Sequence, residues 1–405
     1  MRLFGYTLVR RGLPARGIHG TPQPMSPLPP GTTVLQVLPS LETGGVERGT
    51  IEITQAIAVA GGRALVTSAG GRQVPAVLRA GGQHFMVKLA TKDPVNMLIN
   101  AGKLAGLVRS ERVSILHVRS RAPAWSALWA ARRTGVPFVT TYHGNYAEGV
   151  PGKRLYNSVM ARGDRVIAIS QFIADLIIAR HGTDPSCIRL IPRGADLDVF
   201  DADRVGGGRL AKLATAWRLP DGMPTVMLPA RLTRWKGATV LLDAAAQMAK
   251  RDVCIVLVGD AQGRGRFVQG LMAQAKRLGL QARLRLAGAC DDMPAALMLA
   301  DVVVSASTAP EAFGRAVVEA QAMGRMVIAT DHGGAAETVE QDVTGWRVPP
   351  SDPAALAAAL DYALSLPDEH RQWIGQMSRA SVVANYSTAA MQDRTLAVYE
   401  ELLRG

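Results

Sequence analysis

The chain has 405 residues, 48% of them hydrophobic and 20% charged, which excludes a disordered or fibrous chain and leaves room for two domains with separate cores. No run of about 18 apolar residues occurs, so no membrane-spanning helix is expected; the three cysteines, Cys187, Cys254 and Cys290, lack CxxC spacing, which argues for reduced thiols in the cytosol and against a metal site. The net charge of +13 is uneven: residues 1–30 carry 4 basic and no acidic side chains (+4), residues 31–200 carry 20 against 11 (+9), and residues 201–405 carry 22 against 22 (0).

A basic first half favours an anionic acceptor or an anionic membrane face, each Lys or Arg near such a surface contributing about 1 kcal/mol. Aromatics are 5% and no nucleic-acid-binding motif occurs, so nucleic acid is not an expected partner.

Along the chain, Arg2, Arg10, Arg11 and Arg16 precede Pro22, Pro24, Pro27, Pro29 and Pro30. The apolar stretch from Leu3 to Val9 is short and broken by Gly5, so residues 1–30 read as a disordered tail and not as a signal peptide; a transit peptide or an over-long start also fits. Residues 33–39 form the first expected strand, and Gly44 and Gly45 lead into a helix through about Ala60. Strand, Gly-Gly loop and helix present free N–H groups to a phosphate. Neither G-x-G-x-x-G nor Gly-Lys-Ser/Thr follows, which excludes a dinucleotide fingerprint and a P-loop.

Further strands are expected at 64–68, 113–118, 137–141, 165–170 and 188–192, alternating with helical patterns, as in a parallel sheet covered on both faces. Ligands then bind beyond the strands' carboxyl ends. His143, in Thr140-Thr141-Tyr142-His143-Gly144, falls past one such end; Ser170-Gln171 falls past another, with Ser170 suited to an N-cap. Residues 201–224, polar and rich in Gly and Arg, read as the passage between domains.

The second half opens with a strand at 225–230 feeding Arg231-Leu-Thr-Arg-Trp-Lys236-Gly237, two cations five residues apart past a strand end. Strands follow at 253–259, 284–288, 302–305 and 326–330. Between the last two, Glu311 lies in a loop and Glu319 about two helical turns later, roughly 12 Å along the axis. The N–H groups around Phe313, Gly314 and Arg315 stand at a helix N-terminus that favours phosphate oxygens. Two carboxylates bracketing an anion site suit sugar, phosphate and sugar in a row, the layout of a nucleotide-sugar. Past the next strand, Gly333 and Gly334 make a further glycine turn. No Asp-x-Asp triplet stands at a strand end, so no metal is required; Arg231 and Lys236 can neutralise a diphosphate instead. From Thr388, the residues Met391, Thr395, Val398, Tyr399 and Leu402 recur at helical spacing.

Taken in order, Thr-Tyr-His143-Gly, Ile191-Pro-Arg-Gly-Ala-Asp, Arg231-Leu-x-x-x-Lys236-Gly and Glu311-x7-Glu319 with its Phe313-Gly314 resemble segments of the retaining glycosyltransferases of family 4 with the GT-B fold. The resemblance spans roughly residues 33–403. It implies an α/β protein of two Rossmann-like domains whose parallel sheets face each other across a cleft. The first, acceptor-side domain is 31–200 completed by the C-terminal helix 388–405, and the second, nucleotide-sugar domain is 201–387.

By the same resemblance, Glu311 contacts hydroxyls of the donor sugar, Glu319 the ribose, and His143 lies near the reacting carbon. Arg231 and Lys236 hold the diphosphate, while Gly44, Gly45, Phe313, Gly314, Gly333 and Gly334 approach the donor. Residues Ala289, Cys290 and Asp291 border the nucleobase. The family has Asn where this chain has Arg193, so Arg193 is left out of the site. The implied activity moves a sugar from a nucleotide-diphosphate donor to a hydroxyl of a cell-envelope glycan or glycolipid such as lipopolysaccharide core. It needs no cofactor beyond that co-substrate and is expected in the cytoplasm or peripherally at the inner face of the membrane. The rivals are a nucleotide-sugar 2-epimerase of the same fold and a non-catalytic nucleotide-sugar-binding module.

Overall fold

The computed structural model describes residues 27–404 apart from 43 and 147. The tail assigned to residues 1–30 lies outside the described residues up to position 26. Leu28, within that assignment, is instead packed: it is buried against the first core and its N–H donates to the Ala60 carbonyl at 2.9 Å.

Thirteen short strands, most of them buried, form two sheets among the described residues. The first contains β1 (Thr33–Val37), β2 (Arg63–Ser68), β3 (Gln83–Met86), β4 (Ile115–Val118), β5 (Phe138–Tyr142), β6 (Arg165–Ala168) and β7 (Ile188–Leu190) in the order β3-β2-β1-β4-β5-β6-β7. The second contains β8 (Thr225–Pro229), β9 (Cys254–Val258), β10 (Leu284–Gly288), β11 (Val302–Ser305), β12 (Met326–Thr330) and β13 (Trp346–Val348) in the order β10-β9-β8-β11-β12-β13. Every pairing is parallel, as in β11 against β8, where Val302 faces Val226. These are the two Rossmann-like domains that the alternation of apolar runs and helical spacing implies.

Two strands escape that pattern. Gln83–Met86 is a partly exposed edge strand without an apolar run, and Trp346–Val348 has only three residues. The passage read at 201–224 also contains a helix, Gly207–Trp217, whose buried Trp217 and Arg209–Asp292 ion pair at 2.6 Å tie it to the second domain. Its Gly-rich start hides the helical spacing.

The C-terminal helix Thr388–Arg404 returns to the first domain. Met391, Leu396, Val398 and Tyr399 join the core made by Ile53, Ile57 and Ile115. Tyr399 is fully buried, with its hydroxyl 2.7 Å from His117 Nδ1, and Glu401 pairs with Arg165 at 2.6 Å. The two chain crossings run side by side, since the Ala195 N–H donates to Tyr386 O at 2.8 Å and the Thr388 N–H to Ala195 O at 2.9 Å. Among the described residues no helix is long and apolar enough to cross a membrane.

The strand order reverses between β1 and β4 in one sheet and between β8 and β11 in the other. Such switch points open a crevice at the carboxyl ends of the strands, so the loops that follow these strands are where a ligand is met.

Candidate active site

In the second domain the loop after β8 carries both cations. Gly237, which ends it, has φ +76°, and a Cβ there would stand 1.7 Å from the Ala306 carbonyl. Only glycine lets this loop lie against the one after β11. That approach sets Lys236 Nζ 2.8 Å from Glu311 Oε1 and 4.5 Å from the Trp235 ring centroid. Arg231 lies exposed at the mouth, with no carboxylate in ion-pair range among the described residues.

Glu311 accepts hydrogen bonds from Ser307 and, at 3.3 Å, from Ser305. Burial pushes its carboxyl up, but Lys236 and the two serine hydroxyls more than offset this and hold it below the ordinary glutamate value. The carboxylate is therefore ionised, with Oε1 taken up by Lys236 and the two serines, a poor nucleophile whose Oε2 is left to accept from hydroxyls. Its loop rests on the glycine turn after β12. The Gly334 N–H donates to Glu311 O at 2.8 Å, and a Cβ on Gly333 or Gly334 would come within 2.5 Å or 2.3 Å of the Glu311 or Ala312 carbonyl. Behind Glu311, Phe313 is buried and Gly314 opens the helix Arg315–Ala322.

The first domain supplies the opposite wall. His143 follows β5, and Arg193 follows β7 with its Nη2 2.6 Å from His143 Nδ1. A guanidinium can only donate, and Nη2 is closer to Nδ1 than to Nε2, 2.6 against 3.3 Å, so the imidazole is assigned as neutral, accepting at Nδ1 with its proton on Nε2. Burial, then Arg193, Arg119 and His117, keep it well below the usual histidine value.

A pocket of about 370 Å³ between the domains is lined by Gly45, His143, Arg231, Lys236, Glu311, Phe313 and Gly314. Seven of the residues singled out from the sequence thus converge. Gly44, Glu319, Gly333 and Gly334 do not line it, nor do Ala289, Cys290 and Asp291. Gly333 and Gly334 act from behind the Glu311 loop. Glu319 is buried and taken up by Arg48 of the first domain at 2.7 Å and by Arg315 at 3.4 Å. Arg193, set aside because the family carries Asn there, lines the pocket and is restored to the site; Arg315, Trp235, Ser305 and Ser307 line it too. Arg315 directly follows Gly314 and was legible as a neighbour, whereas the two serines have no signal of their own.

Further contacts hold the two domains together across the cleft. Ser170 Oγ caps its helix by accepting from the Ile173 N–H and also donates to Ala312 O at 2.6 Å. The Glu337 carboxylate accepts from the N–H groups of Gln171 and Phe172, at 2.8 and 2.6 Å. A negative charge at a helix N-terminus stabilises both partners.

The buried imidazoles make a pH prediction. His117, fully buried between Tyr399 and Thr141, is held well below its ordinary value first by burial and then by Arg119 and Arg193. A histidine with a depressed folded value binds protons more readily when unfolded, so its stability contribution is present above about pH 6.5 and is lost as the pH falls below it. Urea unfolding at pH 7.5, 6.5 and 5.5 should show stability falling by up to about 1.4 kcal/mol per pH unit for this ring, and His117→Gln should reduce the slope to the share that His143, depressed in the same way, contributes. A wild-type profile without slope over that range contradicts the assignment.

Residues 212–380 match the model of Glycosyl transferases group 1 and residues 43–199 that of Glycosyltransferase Family 4. A D-inositol 3-phosphate glycosyltransferase of Segniliparus rotundus is 33% identical over 293 residues, 67% of this chain; the match spans 63% of that relative's length. A glycosyltransferase from Rickettsia africae superposes with a TM-score of 0.87 at 35% identity, over 93% of this chain and 99% of that one. The Anabaena protein HepE, solved in complex with UDP and glucose, gives 0.78 at 25% identity over 90% and 98%. With a relative this similar along nearly its whole length, the chain belongs to the GT-B glycosyltransferases.

Proposed function

We propose that this chain moves a sugar from a nucleoside-diphosphate donor to an acceptor hydroxyl with retention of anomeric configuration. The observation that carries the reading is the single pocket in which Arg231, Lys236, the Gly314 helix start and Glu311 face His143. The donor diphosphate lies at Arg231, Lys236 and the N–H groups after Phe313, where fixed positive charge meets the negative charge that grows as the carbon–oxygen bond to the phosphate breaks. Glu311 takes hydroxyls of the sugar, and Nε2–H of His143 donates to it near the reacting carbon. Glu319 takes the ribose once Arg48 has moved off its carboxylate.

The sugar passes through an oxocarbenium-like state, and the acceptor oxygen attacks from the face that the diphosphate leaves. A departing phosphate oxygen takes the acceptor proton. No protein nucleophile is needed, in keeping with a Glu311 carboxylate already bound by three donors. The acceptor we infer is a cell-envelope glycan or glycolipid, reached in the cytoplasm or at the inner membrane face. Its support is the +9 balance of residues 31–200; the lipopolysaccharide-core assignment rests on the Glu311–Arg315 and Asp331–Gly334 segments alone, whereas the curated relatives are named for a phosphorylated inositol.

A thermal-shift panel of UDP-, GDP- and ADP-sugars selects the donor, and mass spectrometry of the products then tests the reaction. The expected products are slow hydrolysis of the donor alone and a glycosylated product, retained in configuration by NMR, when envelope oligosaccharide or lipid extract is added. A 2-epimer formed from the donor alone would make the chain an epimerase, and a donor bound but unchanged under all conditions would make it a binding module.

A further inference from the structure

Where the domains meet beside the pocket, four guanidiniums, Arg48, Arg119, Arg193 and Arg315, gather around two carboxylates, Glu52 and Glu319. Both carboxylates are already shared: Glu52 pairs with Arg48 at 3.3 Å and with Arg315, and Glu319 with Arg48 at 2.7 Å and Arg315 at 3.4 Å. Four positive charges against two negative leave +2. The excess falls on Arg119 and Arg193, neither of which has a carboxylate in ion-pair range among the described residues. Arg119 is 1% exposed and donates to Gln36 Oε1 at 3.0 Å, while its Nε has no partner. Arg193 is 6% exposed, and among the described residues its hydrogen-bond partners beyond the His143 ring reduce to Met391 Sδ at 3.4 Å.

Both guanidiniums press on the same turn of the first helix. A Cβ on Gly49 would stand 2.6 Å from Arg193 Nη1 and 3.0 Å from Arg119 Nη2. Two like charges this close and this buried are costly without a counter-ion. Of the pair only Arg193 lines the pocket, together with Arg315 from the other domain. An anion entering the cleft therefore reaches the uncompensated charge through Arg193.

We propose that Arg193, backed by Arg119 and faced by Arg315, is a subsite for an anionic group, phosphate or carboxylate, that the acceptor carries close to its reacting hydroxyl. The inference rests on the reading of the pocket as a sugar-transfer site, which places the donor diphosphate on the second domain at Arg231 and Lys236. Arg193 belongs to the first domain and sits beside His143, where the acceptor hydroxyl must arrive. A planar guanidinium with few other partners suits either oxyanion bidentately. The subsite selects acceptors by charge next to the attacking oxygen, and neutral analogues of the same acceptor lose binding and not chemistry.

The test uses the full chain saturated with whichever nucleoside diphosphate the wild type binds, titrated with inorganic phosphate and separately with acetate, and followed by thermal shift. Phosphate or acetate should still bind the saturated wild type, the stronger of the two naming the group. Arg193→Asn should weaken that binding by about tenfold or more while nucleoside-diphosphate affinity stays within about twofold. Arg193→Lys, which keeps the charge, should retain most of it and controls for a folding defect. Anion binding that vanishes when the diphosphate site is filled, that is equal in Arg193→Asn, or that falls together with diphosphate affinity overturns the proposal. A wild type that binds no nucleoside diphosphate overturns the transfer reading itself, and this inference with it.

Discussion

Replacing Lys236 by Met, or Glu311 by Gln, should lower sugar transfer by about 100- to 1,000-fold and leave a folded protein. The two side chains form one unit, an ion pair of 2.8 Å in which each is largely buried. Lys236 has two roles in the account. It keeps Glu311 ionised, and it faces the diphosphate oxygens as the bond to the sugar breaks. Removing it loses the charge that stabilises the leaving group and lets the Glu311 carboxyl rise toward the protonated form that burial favours. Glu311→Gln keeps the size and the hydrogen bonds of the side chain but returns Lys236 to an unpaired state and weakens acceptance from sugar hydroxyls.

The fold tolerates both changes for physical reasons: in Glu311→Gln the Lys236 ammonium still reaches the open pocket that it lines, and Lys236→Met leaves a carboxyl that can protonate. A buried glutamate without its cation protonates, and the two serines remain as partners. Product formation under saturating donor and acceptor, with circular dichroism as the folding control, checks the prediction. Turnover near that of the wild type in either variant sinks the roles assigned here.

The second large effect concerns stability and sits far from the chemistry. Tyr399→Ala should cost about 3–5 kcal/mol, the range for deleting a large buried side chain. Tyr399→Phe should cost about 1–3 kcal/mol, because it leaves a buried imidazole nitrogen without its partner. Tyr399 is fully enclosed, its hydroxyl meets His117 at 2.7 Å, and burial pushes that hydroxyl far above its ordinary value, so it stays protonated. If the last helix were a loose appendage, Tyr399→Ala would unfold in urea at nearly the wild-type midpoint. The expected result is a single, lowered transition, since the helix completes the first core and carries the chain back across the domain boundary.

Much of this architecture is legible in the residues. Runs such as Val302-Val303-Val304 can only be buried strands, and the cations and acids that follow strand ends are placed by topology before any side chain is seen. Cation and acid then meet because the switch point brings the loops after β8 and β11 together. What the sequence conceals is how those charges are already spent. Glu319 is expected to reach the ribose, yet it is held by Arg48, a residue about 270 positions away that no local spacing connects to it.

Arg193 departs from the family's Asn, and that departure is itself the informative signal, since a buried guanidinium against an imidazole favours one tautomer and adds a charge at the cleft wall. The strands Gln83–Met86 and Trp346–Val348 stay hidden because neither carries an apolar run for a pattern to catch, whereas Ile188–Leu190, equally short and at a sheet edge, is extended by Ile191.

The central claim is that Arg231 and Lys236 hold a nucleoside diphosphate against the helix start at Gly314. Calorimetric titration with the diphosphate chosen by the donor panel tests it most directly, comparing the wild type with Arg231→Gln, Lys236→Met and the double variant. The account predicts a loss of about tenfold for each single change and more for the double, with the slope against salt reduced as each charge is removed. Diphosphate binding of wild-type strength in the double variant would contradict it.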